Sequence, residues 1–428
     1  MAGRPIVCYA QDAAVAGGSV GVAEAEVIVR ALRRSRRAQV PLVGFLESAG
    51  ARLQEGAAAL GGFGRIFFEN VALSGRSPQI SVITGTSAGG GCYSPALTDF
   101  VVMTAQASMF LTGPRIVKLA LGEEVTGAAL GGTQVHARNG VCHFVTPDDG
   151  SAIGVLRELL GYLPQSASES ASPAPAEPPI GSDPGAVLPT SRRSYYDVRD
   201  VVRRVLDGGR FLEVSERWAR NIVCGFGRLE GHAVAIIGNQ ARYKGGIIDV
   251  DASQKGARFV RTCNAFGIPL VVLVDTPGFM PGTRQEAAGV IGHGAELVRA
   301  FAAATCRRVT VILRKSFGGA FITMNSKELG ADAVCCWPAA EIGIMGSEAA
   351  VRIIHHRELA SGPEGVGEQL ARRYAEQSLS TTSALRSGAV DAVIDPRDTR
   401  AWLVGELELG ACAPRFQRAD GLLTRSAS

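Results

Sequence analysis

One stretch of this chain is written twice. Residues 80–97, ISVITGTSAGGGCYSPAL, place a β-branched run before Ala88-Gly89-Gly90-Gly91 and an apolar segment after it. Residues 309–324, VTVILRKSFGGAFITM, repeat that order, with Val309, Val311 and Ile312 before Phe317-Gly318-Gly319-Ala320. Each β-branched run reads as a buried strand, and the spacing after the glycines reads as a helix. Other landmarks recur around them. Ala16-Gly17-Gly18 is answered by Lys244-Gly245-Gly246, and Pro41 to Gly50 by Pro269 to Gly278, at a constant offset of 228. Gly89-Gly90 is answered by Gly318-Gly319 at 229, and Thr98–Val101 by Ala331–Val334 and Gly113 by Gly346 at 233. Offsets that drift only by small insertions mean two copies of one αβ unit, since chance glycine turns do not keep so many landmarks in order. The chain must therefore fold as tandem domains, each a mainly parallel sheet covered by helices.

The glycines carry a chemical expectation too. Between a strand and a helix they let the backbone approach a ligand and turn its amides outward. The first helical turn adds unpaired N–H groups and the positive end of the dipole. That suits a phosphate, or an oxyanion that develops during a reaction.

The chain of 428 residues, 46% hydrophobic and 20% charged, has material for two or three soluble domains. From Pro164 to Arg193 the texture turns to Pro, Ser and Ala without apolar periodicity, which predicts a flexible or extended linker. The expected domains are thus 1–163 and 194–428, joined by 164–193. Helices are expected over Val22–Arg34, Phe63–Leu73 and Gln254–Phe266. A net charge of +4 gives no electrostatic case for nucleic acid. The basic run Arg33-Arg34-Ser35-Arg36-Arg37 reads as the solvated end of a helix, or as a surface for an anionic ligand or partner. Nine cysteines, an odd number without CxxC pairs, argue for reduced thiols and a cytoplasmic protein, with Cys335 and Cys336 as core filling. The opening MAGRPIVCYAQD has no signal-peptide pattern, and no window has the run of about 18 apolar residues that a membrane span needs. There is no Ser-His-Asp order and no metal-ligand cluster; the six histidines read as packing or surface residues. Glu47 and Asp275 hold equivalent strand ends, as acids or as turn caps.

Longer motifs then make a resemblance. AGGSVG (16–21), AGARLQEG (49–56), SAGGGCYSPALTDFVVM (87–103), MFLTGP (109–114) and GEEVTGAALGG (122–132) lie in the first half. YKGGIIDVDASQKGARFVRTCNAFGIP (243–269), VDTPGFMPG (274–282), RKSFGGAF (314–321), SKELGAD (326–332) and IMGSEAAV (344–351) lie in the second. In this order they resemble the carboxyltransferase (β) subunit of biotin-dependent acyl-CoA carboxylases, of the propionyl-CoA carboxylase type. The resemblance implies an α/β fold of two tandem crotonase-like (ββα superhelix) domains related by internal duplication. It also implies an enzyme that moves a carboxyl group from carboxybiotin to the α-carbon of a short- or medium-chain acyl-CoA, through an enolate held by backbone amides. By resemblance the catalytic amides are those of Gly89 and Gly90 and of Gly319 and Ala320, and which pair holds which oxygen stays open. Substrate-binding positions carried over are Ala49, Gly50, Ala51, Ala88, Tyr93, Gly113 and Pro114, on the acyl-CoA side. Those for biotin are Gly245, Gly246, Thr276, Pro277, Gly278, Phe279, Phe317, Gly318, Met345 and Gly346. No metal is implied.

The implied partners are an acyl-CoA, a separate biotin carboxylase and biotin carboxyl carrier (no Ala-Met-Lys-Met type motif occurs here), and further copies of this chain in a hexamer, with no nucleic acid or membrane. Three departures stand out. The family carries a longer lead before Gln11-Asp12, Ser48-Ala49-Gly50-Ala51-Arg52 replaces its usual SGGAR, and Ile322 stands where propionyl-type enzymes have Asp. The family associates that last position with acyl selection, so acetyl-CoA or a longer or unusual acyl-CoA is expected alongside or instead of propionyl-CoA. The alternatives are the matching subunit of a biotin-dependent decarboxylase, a crotonase-type hydratase or hydrolase, and a non-catalytic assembly subunit.

Overall fold

In the computed structural model, residues 1, 3–191 and 194–408 are described, with the backbone of a ribbon at Phe416–Ala419 and Leu422–Arg425. The chain divides into two units. Met1–Ser172 with Val214–Trp218 forms the first, and Pro173–Glu213 with Ala219–Ser428 the second.

The first unit contains β1 (Val7–Ala10), α1 (Val22–Ala38), β2 (Leu42–Ser48), α2 (Ala57–Leu73), β3 (Gln79–Ala88), β4 (Phe100–Thr104), β5 (Ser108–Phe110) and β6 (Phe144–Thr146). The strands run parallel in the order β1-β2-β3-β4-β6, with β5 paired to the far end of β3. Burial on both faces explains their continuous apolar runs: Leu42, Val43, Ile80, Val82 and Ile83 are almost wholly covered. Helix α1 lays Ala25, Ile28, Val29 and Leu32 on the core at helical spacing. At its other end Arg33 and Arg36 pair with the buried Glu69 of α2, close to where β2 begins. This part of the basic run ties two helices together.

Helix α2 begins six residues earlier than its periodicity predicts. Gly61 and Gly62 weaken the signal, each costing about 1 kcal/mol against alanine in a helix. Tertiary packing overrides that, because a Cβ at Gly62 would stand only 2.7 Å from Ala25 Cβ. The two helices cross where both side chains are small.

The second unit repeats the plan with β9 (His232–Asn239), β10 (Leu270–Thr276), β11 (Arg308–Phe317), β12 (Ala333–Cys336), β13 (Glu341–Gly343) and β14 (Ala392–Val393). Its sheet reads β14-β12-β11-β10-β9-β8-β7, with β13 off β11. Strands β7 (Leu212–Glu213) and β8 (Ile222–Leu229) are antiparallel additions at the β9 edge and have no counterpart among the described residues of the first unit. Cys335 and Cys336 are wholly buried in β12.

The stretch 164–193, expected as a flexible or extended linker, has no regular strand among its described residues but is fastened. Ser166 is buried, and the Ala167 amide donates to the Arg76 carbonyl. Further on, the Ala174 amide donates to Gly231. Among its described residues only the short turn Pro184–Val187 is helical. The division between units falls at Ser172, nine residues past the expected end of the first domain. Among the described residues no helix is long and apolar enough to cross a membrane.

The duplication extends to single hydrogen bonds. Gly17 and Gly245 both have φ 65°, Gly18 and Gly246 have φ 68° and 77°, and Gly89 and Gly318 have φ 56° and 59°. The Val20 amide donates to Gly50 and the Ile248 amide to Gly278, each at the same place in its copy. In both units the pairing shifts register near the end of the second of these strands, between Leu46 and Ser48 and between Val274 and Thr276. Gly18 and Gly246 are irreplaceable for one reason. Their φ is left-handed, and a Cβ would collide with the carbonyl of Glu47 or Asp275. Gly246→Ala is therefore expected to cost more than the about 1–2 kcal/mol of a left-handed alanine. Urea denaturation checks this, and a variant as stable as the parent would refute the close approach.

Candidate active site

In each unit the glycines expected to carry chemistry lie at the carboxyl ends of parallel strands, where open α/β sheets place their ligands. Strand β3 ends at Ala88. Gly89 then bends the chain into the short turn Gly89–Cys92, and Tyr93 opens a helix that ends at Ala96. The first amides of such a turn have no partner within it. Gly50 stands against this bend: a Cβ there would lie 3.0 Å from the Ala88 carbonyl and 3.8 Å from Gly89 Cα. Ala49 and Ala51 are tied back, with the Ala49 amide donating to Gly17 and Ala51 bridging to Val20. On the other side the Leu111 carbonyl lies 4.0 Å from a Cβ placed on Gly89. Two residues later Gly113 and Pro114 start the helix Pro114–Leu121, with the Phe110 ring 3.5 Å from a Gly113 Cβ. Tyr93 is half exposed and meets Phe67 edge-on at 5.9 Å. The structure thus gathers Ala49, Gly50, Ala51, Ala88, Gly89, Gly90, Tyr93, Gly113 and Pro114 at one end of the first sheet.

The second unit gathers its own set. Gly318 follows β11 and opens the helix Gly318–Thr323; a Cβ on it would lie 3.1 Å from the Ile344 carbonyl. Met345 and Gly346 follow that carbonyl, and Phe317 packs 3.6 Å from a Gly346 Cβ. The loop after β10 carries Thr276, Pro277, Gly278 (φ 138°) and Phe279. It is held by Ile248, whose amide donates to Gly278 and whose carbonyl accepts from Met280. The Phe279 ring covers Gly319 at 3.8 Å from a Cβ there. Around Gly245 and Gly278 nothing among the described residues lies within 4 Å of a would-be Cβ, so the backbone is open to close approach. Ile322 is half exposed on the short helix, one turn from Gly318.

Glu47 and Asp275 are not alike. Asp275 is completely buried and pairs with Arg314, its Oδ2 3.1 Å from Nε. Burial pushes its carboxyl up, and the charges of Arg314 and Lys315 pull against that rise. Of the histidines, His136 contacts the Met109 carbonyl through Nε2, and His355 pairs with Glu358 on the surface.

Two supports escaped the sequence. Phe63 of α2 presses its ring under Gly90, at 2.9 Å from a Cβ there. Only the fold brings it within reach. Arg314 did leave a signal, as a cation interrupting a buried apolar strand, where charges are almost always paired.

The carboxyl transferase domain model matches residues 1–421. The propionyl-CoA carboxylase carboxyltransferase subunit of Haloferax mediterranei is 45% identical over 416 residues, 95% of this chain and 80% of its own. Methylmalonyl-CoA decarboxylase subunit alpha of Veillonella parvula is 42% identical, across 95% of this chain and 80% of its own. A crystal structure of transcarboxylase 12S, a hexamer with methylmalonyl-coenzyme A bound, superposes with a TM-score of 0.94 at 40% identity, over 99% of this chain and 83% of that one.

The two glycine turns differ in slack. Gly90→Ala forces a methyl onto Phe63 and is expected to cost about 1–3 kcal/mol, as overpacking does. Gly319→Ala meets Phe279 at ordinary contact and should stay within about 1 kcal/mol of the parent. Thermal melts of the two variants test this, and equal losses would contradict the asymmetry.

Proposed function

The chain belongs to the carboxyl transferase domain family, and from that premise we propose that it is the carboxyltransferase subunit of an acyl-CoA carboxylase. The observation that carries the reading is the pair of strand–Gly-Gly–helix turns with matching left-handed glycines at Gly89 and Gly318. Carboxyl transfer to an acyl-CoA passes through a thioester enolate and needs donors aimed at developing negative charge. Two turns offer two such places. The amides of Gly89 and Gly90 would serve one and those of Gly319 and Ala320 the other.

The first unit would take the acyl-CoA, with Gly50, Ala88 and Gly113 shaping the approach to its turn. The second would take biotin from a carrier on a separate subunit, against Gly245, Gly278, Phe279 and Gly346. Carboxybiotin, when bound, supplies the carboxyl group. The open backbone at Gly245 and Gly278 supports that fit. This chain's own contribution is to bind, to orient and to hold charge by fixed dipoles. Asp275 Oδ2 is paired with Arg314, and the charge-holding role at the second turn is given to the amides. A hexamer is the assembly expected by similarity to transcarboxylase 12S. Similarity to a methylmalonyl-CoA decarboxylase subunit favours, as a second reading, the same chemistry run toward loss of the carboxyl group. The amides stabilise the same enolate in either direction.

The test needs no partner protein. Purified protein is expected to decarboxylate malonyl-, methylmalonyl- or ethylmalonyl-CoA in a manner that depends on added free biotin. Gly319→Val keeps its amide but sets a branched side chain beside it, and should lower that rate by about 100-fold, as displacing a reacting group by 1 Å does. A folded, fully active Gly319→Val would overturn the assignment. Ile322→Asp is expected to change which thioester reacts fastest, although pocket changes of one methylene discriminate by only about 1–3 kcal/mol. An unchanged preference order would remove Ile322 from acyl selection.

A further inference from the structure

Three segments of the second unit that border its glycine turn meet at one buried residue. The Asp275 carbonyl abuts Gly246, where a Cβ would collide with it. Its amide accepts no slack either, donating to Asn239 Oδ1 at 3.3 Å. Its carboxylate reaches across to Arg314, whose Nη1 also donates to the Ser194 carbonyl at 2.9 Å. The guanidinium carbon lies 5.2 Å from the Tyr196 ring centroid. Asp275 is completely buried and Arg314 almost so. The pair stands where β10 and β11 lose register, between Val274 and Thr276, where β11 has more residues than its neighbour. One residue after Asp275 comes the Thr276–Phe279 loop, and four after Arg314 comes Gly318.

The first unit handles the same place differently. At the positions of Asp275 and Arg314 it has Glu47 and Gly85, so no ion pair is possible, and the Glu47 carboxylate lies over Gly85. Its loop is fastened instead by Arg52, which donates to the Ser19 carbonyl at 2.9 Å and pairs with Glu24 and Glu55. The matching position in the second unit is Met280, which has no charge to offer. Beneath the first turn Phe63 is pressed against Gly90, whereas Phe279 leaves Gly319 ordinary contact distance. The second turn thus lacks both supports of the first and has the buried pair in their stead.

We propose that Asp275 and Arg314 are positioning residues for the second unit, their pair fixing the gap between the Thr276–Phe279 loop and the Gly318–Ala320 amides. This rests on the carboxyltransferase reading, in which those amides hold a reacting oxygen. Displacing a reacting group by 1 Å can cost about 100-fold in rate. An ion pair across a register shift is suited to prevent that, since it resists sliding of one strand end along the other.

The test compares Asp275→Asn, Arg314→Leu and the double variant in the full-length oligomer. For biotin-dependent decarboxylation of methylmalonyl-CoA, each single variant is expected to lose about ten- to a hundredfold in kcat. KM for the thioester should stay within about twofold, because the first unit is untouched, and the double variant should be no worse than the worse single, as for residues acting as one unit. Amide hydrogen exchange gives a readout independent of turnover. Exchange at the Ile248 and Met280 amides, which tie the loop after β10, should quicken, while the Val20 and Arg52 amides at the same places in the first unit, the internal reference, stay as in the parent. Unchanged exchange at Ile248 and Met280 in a folded variant would overturn the proposal, as would equal quickening in both units or a rise in KM at constant kcat. A parent protein with no biotin-dependent turnover would sink the carboxyltransferase reading, and exchange alone would then decide the role of the pair. Should Asp275→Asn not fold, Asp275→Glu, which copies Glu47, carries the same comparison.

Discussion

A backbone carbonyl resting on a glycine holds each unit together at its working end. The Glu47 carbonyl lies against Gly18 in the first unit and the Asp275 carbonyl against Gly246 in the second. Only a residue without Cβ permits that approach, and only glycine adopts these left-handed angles at little cost. Once the turn sits there, the chain after β2 and after β10 is forced past Val20 and Ile248, which bond it on both sides. That path brings Gly50 beneath the bend at Gly89 and Phe279 over Gly319. The amides proposed to face a ligand are thus placed by packing behind them. Rigid dipoles of this kind are useful because they need no reorganisation when charge develops.

Duplication conserved that backbone and released the side chains around it. The first copy holds its loop with Arg52 between Glu24, Glu55 and the Ser19 carbonyl. The second holds its loop with a buried Asp275–Arg314 pair and ties Lys244 to Asp249 at the foot of its helix. A buried ion pair gains little net stability, since desolvation offsets most of the attraction. Its value is in geometry, as the broken register at Val274 and Thr276 leaves the strand ends otherwise free to slide. Phe63 serves the same end in the first copy by contact alone.

Much of this was legible beforehand, for definite reasons. Strand–glycine–helix order survives in sequence because φ near 60° excludes other residues, so Gly89 and Gly318 mark themselves. The parallel sheets announced themselves through runs buried on both faces, such as Leu270–Val274. The start of α2 was not legible, because Gly61 and Gly62 look like a loop until Ala25 of α1 is seen to need the space. The extent of the first unit was hidden as well. Ala167 is polar-flanked and aperiodic, yet its amide is committed to Arg76, and Val214–Trp218 joins that unit from far along the chain.

By itself the sequence determined the duplication, the parallel α/β class, the two glycine turns and the family to which they belong. Each depends on residue types that local geometry permits at one place only. The tertiary structure decided which side chains stand behind those turns. Phe63 under Gly90 and Arg314 against Asp275 are contacts between residues 27 and 39 positions apart. No local periodicity encodes such distances, since they are set by how helices and strands pack. Glu47 and Asp275 show it most clearly: equivalent in sequence, partly buried over a glycine in one unit and sealed against an arginine in the other.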